Sequence, residues 1–223
     1  NQPSLRPSNF DRPHKIVASV WGTPVPGLER TEISILYVGQ SGLPFSYVYG
    51  GDLNGDGYPG VGPAFDRWND LIYVPNRVEE LPASPVTLAL LSEALESDPC
   101  LSRYRGRILE RNACRSPWQN RLDLRLGQGF SAWKTDLRLE VDVINVLNLI
   151  HGKWGTIKTV RPVVPLLDLK TIQGQPFAQW GGSVLPTRST EGRLRPLDPW
   201  TVVTPDSQWQ MQVSLRASFG GEG

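Results

Sequence analysis

The sequence predicts an all-β fold of antiparallel, up-and-down strands, and three observations predict it. Its clearest segments alternate charged and apolar residues at period two, the rhythm of a strand with two unlike faces. Its 22 glycines and 20 prolines, in 223 residues, interrupt the chain too often for a helical bundle. Its apolar runs, such as 86–91 with Thr87 inside it, fall far short of the ~20 residues a spanning helix needs.

Taken in order, residues 14–21 and 31–39 read as the first two strands. One short helix follows: Ser84 can cap it, Pro85 suits its first position, and Leu88, Leu91 and Leu95 form one face. Asp98-Pro99 stops it. The third strand, over 120–127, carries Arg121-Leu122-Asp123-Leu124-Arg125-Leu126. The fourth, over 134–143, carries Asp136-Leu137-Arg138-Leu139-Glu140-Val141-Asp142-Val143, and the fifth spans 209–219. Residues 40–118 and 147–207 read as long surface loops, with at most short extra strands over 161–205. No internal repeat divides the chain, so 1–223 reads as one piece.

In the fourth strand one face is wholly charged and the other wholly aliphatic. A soluble sandwich also alternates in this way. Three features favour a membrane barrel instead. The strands reach the ~9–11 residues of a tilted spanning strand. Trp21, Trp118, Phe130, Trp133, Trp209 and Phe219 sit at strand ends, where barrels carry interfacial girdles. Short connections at 24–30 and 129–133 alternate with the two long ones, as in an outer-membrane barrel. Five strands cannot close even a barrel of about eight strands, so the expected fold is an open, incomplete last part of one. The start Asn1-Gln2-Pro3-Ser4 has no initiator Met or signal-peptide pattern, and the chain reads as excised or incomplete. A formal charge of +1 argues against a nucleic-acid partner.

Several strings carry more than periodicity. They are Phe10-Asp11-Arg12-Pro13-His14, Gly39-Gln40-Ser41-Gly42-Leu43-Pro44-Phe45-Ser46, Gly51-Asp52-Leu53-Asn54-Gly55-Asp56-Gly57 and Asn69-Asp70-Leu71-Ile72-Tyr73-Val74-Pro75. Later come Arg105-Gly106-Arg107-Ile108-Leu109-Glu110-Arg111-Asn112-Ala113-Cys114-Arg115, Val141-Asp142-Val143-Ile144-Asn145-Val146-Leu147-Asn148 and a last strand ending at Phe219. In this order they resemble the C-terminal barrel segment of a TonB-dependent outer-membrane receptor of the OmpA-related, Oar-like branch. The resemblance runs from Phe10 to Phe219 and is weakest over 159–205. It implies a place in the Gram-negative outer membrane and TonB-energised transmembrane uptake of a scarce substrate. The implied partners are membrane lipid, the remaining barrel strands, TonB through a plug region, and an unidentified small substrate. Nothing in the chain corresponds to a plug or TonB box. The tail 220–223 overruns the terminal aromatic on which such barrels end.

The candidate residues follow from alternation, spacing and setting. Arg121, Asp123, Arg125, Asp136, Arg138, Glu140 and Asp142 are the expected lumen-lining set. Asp52, Asn54 and Asp56 fit the first half of a calcium loop, with Asp66 a replacement carboxylate, because alternate oxygens can converge on one hard cation. Position twelve of that loop is Pro63, and the plainer reading is an Asx-rich exposed turn. Calcium is the single cofactor the sequence raises. In an oxidising, cell-surface setting Cys100 and Cys114 read as a disulfide. Gly55-Asp56-Gly57-Tyr58-Pro59-Gly60 matches a phosphate-loop pattern without its strand–helix context. His14, His151 and Ser41 lack catalytic companions, so no enzyme is expected. The alternative function is a secreted or surface β-rich binding or adhesion protein with a disulfide loop and a weak calcium turn.

Overall fold

The structure, a computed structural model, describes residues 5–24, 30–53, 55, 69–132, 135–181, 187–188, 194–195 and 197–219. Its strands in chain order begin with β1 (Lys15–Gly22), β2 (Thr31–Gln40) and β3 (Pro44–Gly50). The short β4 (Tyr73–Val74), β5 (Arg107–Ile108) and β6 (Cys114–Arg115) follow, then the long β7 (Gln119–Ala132) and β8 (Thr135–Ile144). Next come β9 (Lys158–Thr159), β10 (Val163–Ile172), β11 (Gln175–Trp180), β12 (Thr187–Arg188), β13 (Leu194–Arg195), β14 (Thr201–Val202) and β15 (Gln210–Phe219). The helices are α1 (Pro85–Ser97), α2 (Pro99–Arg103), α3 (Val146–Ile150) and α4 (Thr204–Ser207). The chain divides into two compact units.

One unit comprises 12–42, 117–158 and 202–223. It holds the five expected strands as an antiparallel sheet in the order β1-β2-β7-β8-β15. β1 and β15 are its edges. The third strand runs farther than expected, to Ala132, because Gln128 to Ala132 keep pairing with Leu139 to Thr135. Two polar clamps fasten the end of the sheet from which the chain makes its long excursions. Gln119 accepts from Arg12 (3.1 Å) and Gln40 (3.1 Å) and donates to the Lys158 carbonyl (3.0 Å). Asn145, fully buried and left-handed (φ 57°), donates to the carbonyls of Gly155 and Ser207, each at 3.0 Å. Its Oδ1 finds no donor among the described residues and lies against Gly155, where a Cβ would sit 2.0 Å away. Asn148 repeats the tie one turn on, donating to Gly152 and accepting from the Trp209 amide.

The other unit comprises 1–11, 43–116 and 159–201, and it corrects the expectation of long surface loops. These segments share one hydrophobic core, including Phe45, Tyr47, Leu91, Leu95, Leu101 and Leu167. The expected helix is present as α1: Ser84 Oγ accepts from the Thr87 amide (3.2 Å), and Thr87, Leu91, Ala94 and Leu95 are its buried face. Asp98 ends α1 and caps α2, its Oδ1 accepting from the Cys100 amide at 2.7 Å. α2, α3 and α4 are short helices the sequence reading did not anticipate.

A four-stranded sheet, β11-β10-β3-β6, crosses this unit. Here too the loop reading of 161–205 is corrected. β10 and β11 form a hairpin whose two turn residues, Gln173 and Gly174, both have positive φ (51° and 79°), the requirement of a tight two-residue turn. β10 pairs β3 in parallel, so the chain as a whole is not purely up-and-down. Pro165 sits where that register shifts, which is how a proline enters an inner strand.

Cys100 and Cys114 are disulfide-bonded, Cα to Cα 5.5 Å, within the usual range. Replacing both by serine should lower the unfolding free energy of this unit by about 3 kcal/mol, since the bridge closes a loop of about fifteen residues. Denaturant titration checks this, and an unchanged midpoint would contradict it. In the sheet unit, Asn145→Ala loses the side-chain hydrogen bonds to Gly155 and Ser207 and strains a left-handed position, and should cost about 2 kcal/mol or more in the same measurement.

Candidate functional site

The register of the five-stranded sheet assigns every side chain to a face, because paired residues of antiparallel strands share one. Arg125 pairs Asp142, Gly127 pairs Glu140, Gly129 pairs Arg138 and Ser131 pairs Asp136. Asp123 and Arg121 lie on that face too, opposite Leu36 and Val38. All seven expected lumen-lining residues therefore share one face. Pairing adds Glu32 of β2 and Arg216 of β15, which inspection of single strands missed. Their signal was the register itself: Arg216 stands opposite Arg138, and Glu32 opposite Gly127.

On this face each arginine meets a carboxylate. Arg121 holds Asp123 (Nε–Oδ1 2.9 Å) and Arg125 holds Asp142 (Nη2–Oδ2 3.2 Å). Arg138 donates to Glu140 (2.9 Å) and also to Glu32, while Arg216 reaches Glu140 from the other side (3.2 Å). Arg30 lies 3.4 Å from Asp136. Glu140 is only 6% exposed beneath its two guanidiniums. The Glu32–Arg138–Glu140–Arg216 chain crosses the sheet from β2 to β15, although β7 stands between Arg138 and Glu32. Gly127 makes that crossing possible. A Cβ there would lie 2.8 Å from Arg138 Nη2, so the guanidinium rests where any other side chain would stand. Among the described residues the clefts on this face include one of about 340 Å³ beside Arg121, Arg125 and Gln212, and one of about 470 Å³ beside Arg30, Arg138 and Arg216. Chemically this is a balanced, polar, hydrogen-bonding wall.

The opposite face is mainly aliphatic, interrupted by the paired Thr31 and Gln128. It carries Ile16 and Val20, Ile33 and Ile35, Leu122, Leu124 and Leu126, Leu137, Leu139 and Val141, then Met211, Val213 and Leu215. Eight of these side chains, together with Phe130, remain 38–71% exposed. Full burial of such a side chain is worth about 1.5–3 kcal/mol. Left bare, the face forgoes on the order of 10 kcal/mol, comparable with a whole domain's ~5–15 kcal/mol. Aromatic groups edge it. Tyr37 and Trp118 both donate to Asn120 Oδ1, at 2.7 and 2.9 Å, beside a cleft of about 470 Å³ that Trp154 and Lys153 also line. Phe130 stands toward the other end, paired with Leu137. Trp21 departs from the expected girdle, for its pairing with Ser34 assigns it to the charged face. Trp133 lies outside the described residues.

The calcium loop is only partly described: Asn54, Asp56 and Asp66 lie outside the described residues. Asp52 accepts from the Gly55 amide (2.7 Å), a local Asx-type turn, and Asp70 accepts from the Leu53 amide (2.7 Å), a contact distant in sequence that ties down the start of the loop. Among the described residues no three acidic, histidine or cysteine groups converge as a metal site. In the other unit, burial and then the Asp98 carboxylate push the Tyr47 phenol far above its ordinary range; it donates to Asp98 at 2.8 Å. Burial also raises the Asp168 carboxyl, partly offset by Lys170. The Tyr47–Asp98 pair reads as core hydrogen bonding.

Compared with known protein families, curated proteins and solved structures, the chain finds no match in any of the three.

The Gly127 notch generates a direct test. A double-mutant cycle on Glu32 and Arg138 should give a small favourable coupling that weakens with added salt, as for a well-placed exposed pair. In a Gly127→Val background the same cycle should give none. A coupling unaffected by valine would show that the guanidinium does not cross at Gly127.

Proposed function

We propose that the chain is the C-terminal wall of a TonB-dependent outer-membrane receptor of the Oar-like branch. Its aliphatic face meets lipid and its ion-paired face lines the lumen. One observation carries the reading: the sheet leaves its apolar face exposed while its charged face is internally neutralised. A water-soluble sheet does the reverse, covering its apolar side with a second layer. A barrel wall needs lipid on one side and a polar interior on the other. The strand lengths agree: ten residues at ~3.3 Å each, tilted by about 45°, cover roughly the 25 Å apolar band. The two edge strands supply the place for further strands, since free backbone groups in lipid cost several kcal/mol each.

On this reading the clefts between arginine–carboxylate pairs lie along the path of a small substrate. The energy for its release comes through a plug region and TonB, which the resemblance supplies. A second reading, a secreted or surface β-rich binding protein, is favoured by the disulfide-stapled unit with its own core. It leaves the aliphatic face without a covering.

The test compares two substitutions in the complete gene product. Leu139→Arg, on the aliphatic face, should lower assembled protein in the outer-membrane fraction, at a cost of about 2–4 kcal/mol near the midplane. Gln212→Arg, on the charged face, should assemble normally. Equal tolerance of both, or recovery of the unsubstituted protein in the soluble fraction, would contradict the proposal.

A further inference from the structure

The arginines of the second unit are arranged unlike those of the sheet. Residues 100–114, the segment the disulfide closes, contain Arg103, Arg105, Arg107 and Arg111 against one acid, Glu110. That is a net +3 in a chain whose total is +1. Glu110 is itself engaged, 2.6 Å from Arg6. All four arginines are exposed, and none of them forms an ion pair with a carboxylate among the described residues. Arg105 instead donates to the Asn76 carbonyl (3.0 Å) and Arg107 to the Arg103 carbonyl (2.8 Å). The Arg107 guanidinium lies 4.6 Å from the centre of the Tyr104 ring, which holds it in place.

The segment is held rigidly. Leu101 and Leu109 are fully buried, and Cys114 is in the core. Asp98 caps the helix that presents Arg103. The turn is made at Gly106, with φ +76° and its amide bonded to the Val74 carbonyl at 2.7 Å, a conformation other residues adopt only under strain. Leu109 returns to the Ile72 carbonyl at 2.9 Å. Four like charges on a fixed loop repel one another, and an anionic partner relieves that cost. The cations are all arginine and never lysine, which favours the two-pronged, planar recognition of phosphate oxygens.

We propose that this arginine loop binds the phosphate groups of a soluble, multiply charged small molecule. Ile108 is the one exposed large aliphatic residue of the segment, too little apolar surface for a lipid contact, which needs a hydrophobic anchor beside its charge. The inference rests on this loop alone and stands independently of where the sheet resides.

The experiment titrates tripolyphosphate into the full chain, disulfide intact, in a neutral detergent, by calorimetry at two salt concentrations. Saturable binding that weakens with salt is expected. The variant R103Q/R105Q/R107Q should bind at least tenfold more weakly. R103K/R105K/R107K, which keeps charge and loses the fork, should fall between. Vesicles containing phosphatidylglycerol should bind no better than neutral ones. No saturable binding by the unsubstituted chain, equal binding by the glutamine variant, or binding to anionic vesicles alone would each overturn the proposal.

Discussion

The sheet depends on one constraint: side chains of opposite solvation preference are sorted onto opposite faces by the two-residue period of the strand. Leu137, Leu139 and Val141 cannot leave the aliphatic face without carrying Arg138 and Glu140 with them to the other. A register slip of one residue would put guanidinium groups among the leucines, so the pairing is strongly specified. The ion pairs then follow from position rather than from strength. Each exposed pair contributes little alone, yet together they pair every arginine of the polar face among the described residues with a carboxylate. Gly127 shows how far the sorting extends, for a missing side chain on β7 lets charges on β8 and β2 meet.

The second unit obeys a different rule. β3 is buried along nearly its whole length, and β10 buries Val163, Val164, Leu166 and Leu167 in succession. Such strands have apolar neighbours on both sides and need no alternation. The disulfide, the Asp98 cap and the Tyr47–Asp98 hydrogen bond secure the end of α1 and the start of α2 against this core. The polar clamps at Gln119 and Asn145 fasten the places where the chain leaves and re-enters the sheet.

These two rules explain what was legible in the sequence. The five sheet strands, their order, their edges and the α1 cap could be read because alternation and capping are local signals. The disulfide needed only two cysteines and a setting. The hairpin of β10 and β11 was hidden by its continuous apolar run and by Pro165, both of which read as a break in pattern. Glu32 and Arg216 were hidden because face-sharing between strands is a matter of register. The long segments read as loops since their turns, prolines and glycines are local, whereas the core that unites residues 43–116 with 159–201 is made by contacts distant in sequence.

Accessibility along β8 in a bilayer tests the account most directly. Spin labels placed singly from Leu137 to Val143 in the complete, reconstituted protein would be probed with lipid-soluble oxygen and with a water-soluble nickel chelate. The account predicts a two-residue oscillation, oxygen collisions peaking at 137, 139, 141 and 143 and chelate collisions at 138, 140 and 142. Equal access by the chelate to both sets, or oscillations of the two probes in phase, would contradict a lipid-facing aliphatic surface.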